Sequence, residues 1–137
     1  MKNTLRAKDY TALGAFRYAM RQFLRFSKDL VAARASLTPE QYEALLAIKA
    51  SSQADGMTVG QISEQLQVRH HTAVSLIDKL EARKLALRKR TNNDRRTVNV
   101  QLTRAGTTLL SHLALIHYHE IRRRAPEIIR TLQRLKK

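Results

Sequence analysis

The 137-residue sequence predicts a mainly α fold (α+β) with one small two-stranded element. Three observations predict it. Both ends of the chain repeat apolar residues at helical spacing over long stretches. The middle third repeats a helix-start signature, separated by short turns. The apolar period switches to strict alternation once, between 86 and 102. At this length one domain, residues 1–137, is the expectation.

The first helix is expected over 9–35. Leu13, Phe16, Met20, Phe23 and Leu30 follow helical spacing, and Ala12, Ala19, Phe26 and Ala33 form a second row beside them. Two rows imply more than one buried face. Thr38, Pro39 and Gln41 then form a cap, a first-turn proline and a capping-box partner. Leu37 and Tyr42 stand at hydrophobic-staple positions, and this second helix is expected to reach about Ala50. Ser51 to Gly56 reads as a polar turn. The signature recurs with Thr58, Gln61 and the Met57–Ile62 staple, which starts a short third helix ending near Leu66. A fourth begins near His70, its apolar stripe made by Ala73, Leu76, Ile77 and Leu80.

A short helix, a tight turn and a longer amphipathic helix make a helix-turn-helix. Next, Val98, Val100 and Leu102 alternate with Thr97, Asn99 and Gln101, which predicts a two-stranded wing over 86–102 with a polar tip. Thr103 caps a fifth helix expected to run to about Arg124, and Pro126 is expected to start a last short helix. The architecture is therefore a winged helix-turn-helix over 37–102, flanked by long terminal helices at 9–35 and 103–135. Those helices are too apolar to be covered by so small a unit. A second copy of the chain is the simplest cover, so they are read as dimerisation helices.

Composition narrows the function classes. There are 26 basic against 11 acidic residues, a formal charge of +15. Such a field attracts polyanions, above all nucleic acid. The absence of Cys excludes disulfides, thiol catalysis and thiol redox sensing, and fits a reducing compartment. No apolar run is long enough to span a bilayer and the first residues lack a signal-peptide core, so a cytoplasmic protein without a membrane partner is expected. No phosphate-cradling or nucleophile motif is present, and no enzyme activity or cofactor is expected.

In a helix-turn-helix the second helix enters the major groove with its N-terminal residues at the base edges. Here it offers Arg69, His70, His71, Thr72, Ser75 and Lys79 away from the apolar stripe, with Lys79 placed more for phosphate than for base. The wing carries Lys84, Arg88, Lys89, Arg90, Arg95 and Arg96 against the single acid Asp94. A basic ribbon of this kind can lie over the minor groove, where Arg is drawn by the negative potential. Asp94 and Arg96, two apart, can share one side of a strand, and the acid can hold the guanidinium in a fixed pose. The candidate DNA-binding set is thus Arg69, His70, His71, Thr72, Ser75, Lys79, Arg88, Arg90, Asp94, Arg95 and Arg96.

The run Leu66 to Leu85 (LQVRHHTAVSLIDKLEARKL), the wing Thr91 to Val98 (TNNDRRTV) and the segment Val100 to Gly106 (VQLTRAG) resemble the MarR family of bacterial transcription regulators. The Asp-x-Arg pair at Asp94 and Arg96 and the Leu-Thr-x-x-Gly pattern ending at Gly106 carry the resemblance most specifically. It implies a homodimer on double-stranded DNA at a pseudo-palindromic operator. It also implies a small, often aromatic or anionic effector that releases the DNA. The sequence departs from the family pattern at Gln67 and Lys84, where Gly is frequent, and at Arg69, where Ser or Thr often caps. Gln67 and Lys84 then require left-handed backbone or a different turn, and Arg69 cannot cap.

Other features are weaker. His112, His117 and His119 do not stack on one helical face, which argues against a metal site; some are expected in the dimer interface. Phe16, Met20, Phe23, Tyr42 and Leu46 are candidates for an effector pocket and, more simply, for core. The basic segment Arg122 to Lys137 reads as solvated or acid-paired surface. The functional reading is a sequence-specific dimeric DNA-binding regulator, a ligand-responsive repressor. It reads the major groove with helix 70–83 and the minor groove with wing 86–102. The alternative is a non-specific basic architectural protein that compacts nucleic acid. An RNA-binding module lacks a stacking surface, and a membrane-surface protein would not need the capped middle third.

Overall fold

The computed structural model describes residues 3–91 and 94–137, the side chains of 91 and 94–96 excepted. The order is α1 (Ala7–Ala35), α2 (Pro39–Ala50), α3 (Val59–Leu66), α4 (His70–Ala82), β1 (Ala86–Thr91), β2 (Asp94–Leu102) and α5 (Arg104–Lys136). The fold is that of a winged helix with long helices at either end.

Both capping boxes form. Thr38 Oγ1 accepts from Gln41 N at 3.2 Å while Gln41 Oε1 accepts from Thr38 N at 2.9 Å. Thr58 and Gln61 repeat the exchange at 3.1 and 3.0 Å. Each reciprocal pair satisfies two N–H groups that a helix start leaves open. The staple residues Leu37, Tyr42, Met57 and Ile62 are all buried.

Three helices end alike. Ser36, Gln67 and Lys84 adopt left-handed backbone, with φ of 52, 56 and 59°. Leu37, Val68 and Leu85, each the next residue, return their N–H to Val31, Ser63 and Leu80 carbonyls at 3.1, 3.0 and 2.9 Å. This is the Schellman closure, with an apolar residue following the left-handed one. Glycine normally takes that position; a side chain there costs about 1–2 kcal/mol. The chain carries that strain at Gln67 and Lys84, as the sequence requires, and at Ser36 as well.

The core is formed by α1, α2, α3, α4, the hairpin and the first half of α5. Leu45, Ile62, Ile77, Leu80, Val100, Leu113 and Val31 are its fully buried large side chains. β1 and β2 pair antiparallel in the register Ala86↔Leu102, Arg88↔Val100 and Arg90↔Val98, with an irregularity after Arg90. A third short pairing escaped the sequence reading. Met57 and Val100 exchange both backbone hydrogen bonds, at 3.1 and 2.6 Å. Gly56, at φ +94°, lies against the Val100 carbonyl, where a Cβ would stand 2.1 Å from the oxygen. The turn before α3 is thereby fastened to the wing.

One expectation is corrected and one narrowed. Pro126 does not start a separate helix, because α5 continues through it to Lys136. An interior proline forfeits one hydrogen bond and crowds the carbonyl four residues back. Flanking contacts carry the helix across: Arg124 meets Glu120 at 2.9 Å and Gln22 of α1 at 3.4 Å. His117 is not left on an outer face for a second copy. It is 4% exposed within one chain. Its Nε2 lies 2.8 Å from Ser27 Oγ, its Nδ1 2.7 Å from the Leu113 carbonyl, and its ring stacks on Tyr42 at 4.3 Å between Phe23 and Phe26. It joins α1, α2 and α5 as a satisfied core histidine.

Candidate nucleic-acid interface

α4 buries Ala73, Leu76, Ile77 and Leu80 and turns the opposite face outward. Arg69, His70, His71, Ser75 and Lys79 are exposed on that face, and Thr72 is half-buried. The 3.6-residue period accounts for the split: the apolar stripe fixes the helix against α2 and α3, and the donors are left outward. Arg69 is the N-cap residue and makes no side-chain cap bond, so its guanidinium is free of that duty. The open N–H groups and positive dipole end of α4 favour an anion, and its first turn holds no acid.

The start of α5 fixes the base of the wing. Thr103 Oγ1 donates to the Lys84 carbonyl at 2.7 Å and accepts from Gly106 N at 3.0 Å, while Thr103 N donates to the Leu85 carbonyl at 3.1 Å. A Cβ on Gly106 would stand 1.9 Å from that Leu85 oxygen. The Leu-Thr-x-x-Gly pattern therefore has a mechanical reason. One threonine serves as cap and tether, and one glycine lets α5 lie on the turn between α4 and β1.

Arg88 is committed to α4. Its Nη2 donates to Asp78 Oδ1 at 2.8 Å, its Nη1 donates to Glu81 Oε1, and its backbone N–H donates to Glu81 Oε2 at 3.2 Å. The side chain is held across to α4, between two acids that would otherwise repel phosphate. Its role in the structure is to clasp wing to recognition helix. Sequence reading missed this clasp, because Asp78 and Glu81 look like ordinary solvated acids. A weak signal existed: they are the only acids on α4 and lie one turn apart.

Lys89 and Arg90 are exposed on β1. The Asp94, Arg95 and Arg96 side chains lie outside the described residues, and with them the proposed pairing of Asp94 with Arg96. Of the pocket candidates, Tyr42 is core, Phe16 and Phe23 are half-buried, and Met20 and Leu46 are exposed. Leu46 lines a groove of about 510 Å³ between α2 and α5, with Leu110, Ala114, Leu115, Tyr118 and Lys49. No cluster of metal-ligating residues occurs among the described residues, and no helix there is long and apolar enough to cross a membrane.

A helix-turn-helix with an exposed, donor-rich second helix beside a basic hairpin defines a winged helix protein of the DNA-binding class. The MarR family model matches residues 35–97. No curated relative matches the chain. Among solved structures, the chain is similar to the Staphylococcus aureus MepR–DNA complex, at 28% identity and a TM-score of 0.67, over 82% of this chain and 80% of that one. It is similar to MepR, a transcription regulator of the S. aureus multidrug efflux pump MepA, at 25% identity and a TM-score of 0.71, with the same shares covered. AbsC, a MarR family transcriptional regulator from Streptomyces coelicolor, shares the fold at 20% identity and a TM-score of 0.75, over 89% and 81% of the two chains. The family-model match over 35–97 and the likeness to these structures give the chain the winged helix fold of MarR family transcription regulators.

Proposed function

We propose that this protein is a sequence-specific, homodimeric DNA-binding repressor. Residues 37–102 form its DNA-reading region and the helices at 9–35 and 103–135 its dimerisation region. The observation that carries the reading is the exposed face of α4, where Arg69, His70, His71, Ser75 and Lys79 stand over a fully buried apolar stripe. His71 and Ser75 are placed for base edges, and Arg69 and Lys79 for phosphates. The S. aureus MepR–DNA complex supports DNA as the partner. Large apolar side chains left exposed on α1 and α5 support the dimer.

Effector control is part of the proposal. The groove between α2 and α5 joins the DNA-reading region to a terminal helix. Its apolar lining with Lys49 suits a small aromatic anion, the ring against Leu46, Leu115 and Tyr118 and the anionic group toward the ammonium.

The test is selection from random duplex DNA by the purified protein. An enriched inverted repeat is expected; no enrichment favours a non-specific architectural protein instead. His71→Ala should relax sequence preference more than it weakens binding to random DNA, and equal losses on both would remove it from the base-reading set. Asp94→Ala tests the wing. If the acid orients Arg96, its loss weakens binding although it raises the positive field; tighter binding would reduce the wing to a plain basic patch.

A further inference from the structure

The charge of this chain is not where its DNA-reading surface is. Residues 37–102 hold ten basic against seven acidic residues, a net +3. The remainder holds sixteen against four, a net +12. A field kept for solubility could be spread anywhere, and one kept for the wing would be concentrated there.

Part of the excess is ordered. Arg17, Arg21, Arg25 and Lys28 recur on α1 at spacings of four, four and three, which places them along one face. All four are exposed, and none is in an ion pair among the described residues. The line spans about 16 Å of helix. Like charges at this spacing oppose helix formation, so the row has a standing cost in the free chain. Beside it, Arg21 and Arg25 join Arg124 of α5, the rings of Tyr18 and Phe26 and Asp29 around a groove of about 460 Å³. On another side Arg21, Arg25 and Lys28 line a groove with Asp29 and with Glu40 and Glu43 of α2, none of which is in an ion pair with the row among the described residues. Elsewhere on α5, Glu120 is engaged: it pairs with Arg123 and Arg124, and the Arg123 hydrogen bond leads the causes that hold its carboxyl below the usual range.

We propose that the α1 stripe is a second polyanion-binding surface, which takes the backbone of a second DNA duplex. An evenly spaced, unpaired row of cations matches the evenly spaced phosphates of a duplex, and neutralising it releases counterions. It lies on a different element from α4 and the wing, and the proposal requires that one protein molecule hold two duplexes. An acidic polypeptide is the competing occupant. The row offers it no hydrogen-bond acceptors and few apolar anchors, whereas phosphate binding needs neither.

The experiment is a bridging assay on the full-length protein. A random-sequence 60-bp duplex is immobilised and loaded with protein, and capture of a labelled second 60-bp duplex is measured against salt. Wild type is expected to capture it. Arg17→Gln, Arg21→Gln, Arg25→Gln and Lys28→Gln combined should keep single-duplex binding within about threefold and lower capture at least tenfold. The salt slope of capture should fall by roughly 0.9 for each phosphate that the variant no longer neutralises. Circular dichroism checks the fold, and Arg21→Gln with Arg25→Gln, with a smaller loss in the same direction, serves if the quadruple variant misfolds. Capture as strong as wild type overturns the proposal. So does loss of polyglutamate binding with capture intact, which would assign the stripe to acidic polypeptides. Arg69→Ala with Lys79→Ala separates the two readings: it should weaken single-duplex binding, which the stripe variant spares.

Discussion

Residues 37–102 and the terminal helices dispose of their apolar side chains in opposite ways. In the middle region Leu45, Ile62, Ile77, Leu80 and Val100 are fully buried, and Leu46 and Leu87 are its exposed large apolar residues. The other twelve on the described surface lie outside it, with Tyr10 at 64%, Leu115 at 58% and Leu24 at 55% exposure. The middle region closes on itself, by capping boxes, Schellman turns and a wing fastened to α4 and to the turn before α3. The terminal helices use one face on the rest of the chain and leave another uncovered. A single copy is thus complete as a winged helix and incomplete as an apolar surface.

Substitutions can break this contrast. The largest expected effect is at the closed core. Leu80→Ala should cost about 2–5 kcal/mol of stability by denaturant unfolding. Ile121→Ala on the uncovered face of α5 should change chain stability by less than about 0.5 kcal/mol at low concentration, yet shift the association equilibrium in sedimentation. Equal losses in both assays would erase the distinction.

Two glycines sharpen it next. Gly106→Ala drives a Cβ into the Leu85 carbonyl and should cost about 1–3 kcal/mol. Gly14 has nothing within 4 Å of an added Cβ, so Gly14→Ala should stabilise α1 by about 0.5–1 kcal/mol. Thermal melts of the two variants should move in opposite directions.

The Arg88 clasp is the third case. Arg88→Ala should weaken duplex binding roughly tenfold, about 1.4 kcal/mol, by leaving Asp78 and Glu81 bare beside the phosphates. Glu81→Gln discriminates: a plain acid removed should tighten binding, whereas a clasp partner removed should weaken it through a looser wing. Titration of a labelled duplex reads the sign. A further effect belongs to the strained turn, where Lys84→Gly should stabilise by about 1 kcal/mol as left-handed backbone ceases to oppose a side chain.

Most of the fold was legible because its signals are local. Caps at Thr38, Thr58 and Thr103, the apolar stripe of α4 and the alternation of β2 each depend on residues a few positions apart. The left-handed turns at Gln67 and Lys84 were legible by contrast with the glycine that such turns favour. The end of α5 was not. Pro126 is a local stop signal, and it was overridden by packing that the local sequence does not contain. The core place of His117 was not legible for the same reason, since Ser27 lies ninety positions away.

By itself, then, the sequence determined the order of elements, the helix starts, the donor-bearing face of α4 and the basic wing. These follow from backbone hydrogen-bonding needs and from side-chain periodicity, which act over one or two turns. The tertiary structure decided which cations are committed and which are free. Arg88 is held by Asp78 and Glu81, Arg124 by Glu120, and Arg17, Arg21, Arg25 and Lys28 stand without ion pairs among the described residues. The physical reason is that a charge's role depends on the partner within a few ångströms, and only the folded chain brings that partner near.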